Sequence, residues 1–259
     1  MPSNQEHIRS LFADAQFRAI LGVGILVGII RWLEFLAIGI YAFDQTGSAF
    51  LVALLALFRL SPLALFGIFI GSLADLIDTS RLLRIGIGLM TIVSLLMTIL
   101  FVFDLASYYL VATATFISGI FWASDMSLRR KLIGDIAGSD RVGAGMAIDS
   151  AISNGTRLIG PLIGGFIYQW LGGTGVFFTM ALIYLGSFGF AQSIVPSKSQ
   201  VAPNVLLLRQ PIVSAKQAFK YAISRQEILS VLGITIIVNI WAFPMFSMIP
   251  VIGKAEIAL

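Results

Sequence analysis

The chain has 259 residues, of which 58% are hydrophobic and 12% charged, with a mean hydropathy of +0.95. Soluble domains carry about 25% charged residues, so half that share leaves too little polar surface to coat a water-soluble body. The net charge of +4 comes from basic residues set in loops between apolar blocks, which favours a membrane surface over a nucleic-acid partner.

No cysteine is present, and the one histidine is His7 in the polar opening stretch. Disulfides and cysteine metal sites are thereby excluded, and His7 in the polar tail argues against a histidine-based metal or catalytic site. The sequence calls for no cofactor, no metal, no catalytic residues and no enzymatic activity. Residues 1–18 are polar, and the apolar block after them is too long for a cleaved signal peptide.

Seven apolar blocks follow: 17–43, 49–70, 82–103, 107–126, 142–168, 175–194 and 228–251. Each is near the roughly 20 residues needed to cross a bilayer. Each must be a helix there, because backbone groups in hydrocarbon have no water to bond. The connections at 44–48, 104–106 and 169–174 hold no Lys or Arg. The others hold Arg9, Arg18, Arg81, Arg84, Arg129, Arg130, Lys131 and Arg141, then Lys198, Arg209, Lys216, Lys220 and Arg225. The positive-inside rule puts that side, and the N-terminus, in the cytoplasm. The longest connection, 196–226, reads as the joint between two halves. Within it, 213–223 suits either a helix lying on the membrane surface or a mobile linker.

Ionisable residues at membrane depth are costly unless paired or wet. Arg31 and Glu34 lie in the first span, Arg59 in the second, Asp149 and Arg157 in the fifth, and Asp125 near the end of the fourth. Two readings stand: the charges clamp the bundle, or they line a polar cavity for substrate or protons. Arg31 and Glu34, three residues apart, are within reach of each other. The third and sixth spans carry no interior charge and are expected to face lipid. The surplus of arginine over carboxylate weakly favours an anionic or zwitterionic substrate.

Two segments carry a family resemblance. Gly71, Leu73, Ala74 and Asp75 after the second span resemble the cytoplasmic loop motif of the major facilitator superfamily, G-x-L-a-D-r-x-G-r-[RK]. Leu76, Asp78, Thr79 and Ser80 depart from it, and its basic part survives only as Arg81 and Arg84. In the fifth span Gly160, Pro161, Gly164 and Gly165 resemble the antiporter motif g-x-x-x-G-P-x-x-G-G, with Thr156 at the first glycine. Together with Asn154 and Arg157, with Arg31-Trp32-Leu33-Glu34, and with Trp122-Ala123-Ser124-Asp125 before Arg129-Arg130, the set is similar to bacterial efflux members, including the enterobactin-exporter-like branch.

The resemblance implies an all-α membrane protein: a six-helix N-terminal half over 1–195, an inter-half loop over 196–226, and the first helix of a second half over 227–259. It implies a secondary transporter in a bacterial inner membrane, exporting a small amphipathic molecule of the drug or siderophore class in exchange for protons. Arg31, Glu34, Arg59, Asp149 and Arg157 are the expected substrate and proton cavity, with Glu34 the first proton carrier and Asp149 the second. Gly71, Asp75 and Arg81 are the expected gate loop, Gly71 giving a tight exit from the second span. The partners expected are a small-molecule substrate, protons, the bilayer, and either a missing C-terminal half or a second copy of the chain. Family members have twelve helices, so the chain is expected to be part of a longer protein. The alternatives are an inactive fragment, or a non-transporting sensor or assembly protein on the same scaffold.

Overall fold

The structure is a computed structural model that describes residues 4–76, 78–195, 224–231, 233, 234 and 237, with side chains at all of these except 4, 5, 64 and 67–76. The expected inter-half loop and seventh span lie almost wholly outside the described residues.

The described chain is all helix and connection. α1 spans Asn4–Ala13, α2 Ala15–Thr46, α3 Ala49–Leu76 and α4 Thr79–Val102. The run α5, Tyr108–Gln192, is three helices joined at two glycines. Gly138 (φ 70°) and Gly172 (φ 59°) adopt left-handed backbone that a side chain would strain, and the helix breaks at each. These helices are called α5a (108–137), α5b (139–171) and α5c (173–192). The stretches α2, α4 and α5 are long and apolar enough to cross a membrane.

Side chains set the ends. Asp14 caps α2 by accepting from the Gln16 amide at 2.8 Å, and Asp78 caps α4 by accepting from the Ser80 amide at 2.9 Å. Gly47, in left-handed conformation, closes α2. Arg18 donates to the carbonyls of Phe12 and Ala13 at 2.8 Å each, satisfying the orphan end of α1.

Four boundaries differ from the hydropathy reading. The polar opening stretch contains α1, whose Ile8, Leu11 and Phe12 fall on one face; Leu11 is fully buried. α3 continues as helix through Gly71 to Leu76, so Gly71 is not an exit from the span. α5a runs to residue 137, eleven residues beyond the expected end, because Leu128, Leu132 and Ile133 keep an apolar buried face past the arginines. α5b begins at 139 and ends at 171.

α2 is the central element: Phe17, Ile20, Val23, Val27, Ile30 and Leu33 are buried along its length. The interior charges sit at its middle, so fold and site share one helix. α4 turns Ile85, Leu89, Ile92, Leu96 and Ile99 outward, and α5c turns out Phe178, Leu182, Leu185 and Phe190. Such apolar outer faces suit hydrocarbon.

Candidate functional site

Near the middle of α2, Arg31 and Glu34 each find a partner on another helix. The Arg31 guanidinium meets Asp125 of α5a at 2.7 Å. The Glu34 carboxylate meets Arg59 of α3 at 2.8 Å and accepts the Ser118 hydroxyl of α5a at 2.7 Å. The pair expected between Arg31 and Glu34 is therefore replaced by two cross-helix pairs. Arg59 joins them, donating from Nη2 to the Arg31 carbonyl at 3.0 Å.

The network continues downward from Asp125. Arg129, one turn along α5a, lies 3.5 Å from Asp125 and also pairs with Asp149 of α5b. Glu34, Arg59, Asp125, Arg129 and Asp149 are all buried. Removing one member of a buried pair leaves a charge without compensation, so the network fixes α2, α3, α5a and α5b against one another. Arg31 and Arg59 also lie over the Trp122 ring, at 5.1 and 5.7 Å from its centroid.

A cavity of about 230 Å³ opens between α2, α5a and α5b. Arg31, Asp149 and Arg157 line it, as do Arg129, Arg130, Trp32, Trp122 and Asn154. Glu34 and Arg59 do not. They form a sealed pair above it, and Arg59 instead borders a small void of about 20 Å³ with Phe35 and Thr115. Arg157 is exposed and rests on the Trp32 ring, 4.7 Å from its centroid.

The glycines of the fifth span serve helix crossing. A Cβ at Gly164 would stand 2.7 Å from the Leu33 carbonyl oxygen, and one at Gly160 2.8 Å from the Ile29 carbonyl oxygen. Only glycine lets α5b lie this close to α2, and that contact sets Asp149 and Arg157 opposite Arg31. Of the expected gate loop, the side chains of Gly71 and Asp75 lie outside those described. Arg81 is largely exposed, 3.7 Å from Asp78.

Sequence reasoning left Asp125 out of the site and put Arg129 in a loop. The signal was present in their spacing: Asp125 and Arg129 are four apart, on a helical period shared with Leu128 and Leu132.

A family model described as the Major Facilitator Superfamily matches residues 20–257. The chain belongs to that superfamily. It is also 26% identical over 157 residues to a protein of Staphylococcus aureus (strain NCTC 8325 / PS 47) named as a staphyloferrin A transporter. The match covers 60% of this chain and 39% of that relative's length. Membership of the superfamily makes this an all-α, multi-pass membrane protein of a transporter family.

Proposed function

We propose that the chain forms part of a secondary transporter that exports a small amphipathic molecule of the siderophore or drug class in exchange for protons. The observation that carries this reading is the charged cavity at the level of the α2 midpoint, in a chain of this superfamily. Transporters of this kind hold substrate near the bilayer midplane and expose it alternately to each side. The S. aureus relative, named for staphyloferrin A, supports a siderophore-class substrate. Transporters of this kind hold substrate between two halves, so on this reading a second wall closes the cavity, from a C-terminal half or a second copy. The membrane is the bacterial inner membrane, with the N-terminus in the cytoplasm.

Proton exchange falls to Asp149 on this reading. It borders the cavity, whereas Glu34 is enclosed by Arg59 and Ser118. The groups facing Asp149 are Arg129 directly and Arg31, Arg130 and Arg157 across the cavity, with Asp125 behind Arg129. The test is gradient-driven transport by the full-length protein in proteoliposomes. Asp149→Asn is expected to leave transport insensitive to an imposed pH gradient, and Glu34→Gln to retain the pH response at reduced activity. A wild-type pH response in Asp149→Asn rejects this role for Asp149.

A further inference from the structure

Four guanidiniums and one carboxylate border the cavity: Arg31, Arg129, Arg130 and Arg157 against Asp149. One more carboxylate, Asp125, stands behind them on Arg31 and Arg129. Two positive charges are therefore left without a countercharge. Their owners are identifiable, because Arg31 and Arg129 hold both carboxylates between them. Among the described residues Arg130 and Arg157 make no ion pair or hydrogen bond. Arg157 is nonetheless placed, its guanidinium lying on Trp32. A stacked guanidinium keeps its planar fork of N–H donors for a bidentate oxyanion.

Resting on the transporter reading above, we propose that the cavity takes an organic polyanion with two or more carboxylates, its first anchor being Arg157 and its second Arg130. The carbon skeleton of such a ligand lies against Trp122 and Met126, which supply the apolar wall. A cation entering the cavity would add to an existing positive surplus, and a neutral ligand would leave it uncompensated, at a cost that rises with distance from water. Asp149 is the built-in competitor. It occupies Arg129, which a bound carboxylate would otherwise share, so its charge sets a ceiling on anion affinity.

The test is calorimetric titration of the full-length protein in detergent with tricarballylate, its uncharged trimethyl ester, and tetraphenylphosphonium. Tricarballylate is expected to bind, with the ester at least tenfold weaker and the cation weaker still. Arg157→Gln should weaken tricarballylate about tenfold, the scale of one charge-assisted hydrogen-bonding group. Asp149→Asn should tighten it several-fold, a gain that a merely structural loss cannot produce. Absence of tricarballylate binding, equal binding of the ester, or preference for the cation overturns the proposal. So does weaker binding in Asp149→Asn when its thermal stability matches the wild type. Proteoliposome assays separate this from the reading it rests on. Tricarballylate bound but no compound transported would reject transport and keep the anion site. Transport of tetraphenylphosphonium without tricarballylate binding would reject the anion site and keep transport.

Discussion

Arg31 and Glu34 stand three residues apart on α2, yet the partner of one is 94 residues away and that of the other comes from α3. Local spacing shows that two charges share a helix face; it does not show which neighbour approaches that face. The sequence therefore made the presence of buried charge legible, and the type and depth of most site residues, but not the pairing. A double-mutant cycle distinguishes the two arrangements. Glu34→Gln and Arg59→Gln each leave a buried charge unpaired, at a cost of about 3 kcal/mol, while the double change removes both charges together. Thermal or denaturant unfolding in detergent should give a coupling of roughly 1–3 kcal/mol for Glu34 with Arg59. The coupling of Glu34 with Arg31 should be clearly smaller. Equal or reversed couplings would contradict the ion pairs described.

At the scale of elements, hydropathy located the six helix-length blocks between residues 15 and 192 because lipid-facing sides must be apolar. It misjudged α5a because the pattern there changes from apolar all round to one-sided after Met126, while the helix itself continues. The end of a hydrophobic block is where the lipid ends, and a helix is free to project past it. The antiporter-like motif was legible as a set of small residues, and its geometry now separates its members. Gly164 faces backbone: a Cβ there would meet the Leu33 carbonyl oxygen at 2.7 Å and its Cα at 2.9 Å. At Gly165 the nearest neighbour is the flexible tip of Leu36, at 3.4 Å. Gly164→Ala must therefore part α2 from α5b, with an overpacking cost of about 1–3 kcal/mol, while Gly165→Ala needs a small rotation of one side chain. Melting curves in detergent should show a lower Tm for Gly164→Ala and a near wild-type Tm for Gly165→Ala. Equal shifts would mean that the helix crossing tolerates separation at Leu33.

Across the whole molecule, side-chain contacts sort the connections into two ends of the bundle. At one end Arg141, beside the Gly138 break, donates to the Ser10 hydroxyl of α1 at 3.3 Å, and Arg84 at the start of α4 approaches Gln192 at the end of α5c at 3.5 Å. At the other end the Tyr168 hydroxyl donates to Asp44 at 2.9 Å, Tyr108 to the Leu51 carbonyl at 2.9 Å and Tyr41 to the Ala106 carbonyl at 3.3 Å. The first end gathers Arg9, Arg18, Arg81, Arg84 and Arg141, and the second has acidic Asp44 and Asp104 with no Lys or Arg in its connections at 44–48, 104–106 and 169–174. The positive-inside rule predicts the arginine-rich end on the cytoplasmic side. The chain has no cysteine, so single cysteines report the orientation without background. Geometry selects the sites. Gly173, at the start of α5c, is unsuitable because a Cβ there would collide with the Phe101 ring. Gly47 carries a left-handed φ of 61° that a cysteine would strain. Gln45 and Leu105 are exposed at the acidic end, and Ser139 is exposed at the basic end. In intact cells a membrane-impermeant maleimide should label Gln45→Cys and Leu105→Cys but not Ser139→Cys, and permeabilised cells should label all three. Labelling of Ser139→Cys alone in intact cells would invert the orientation.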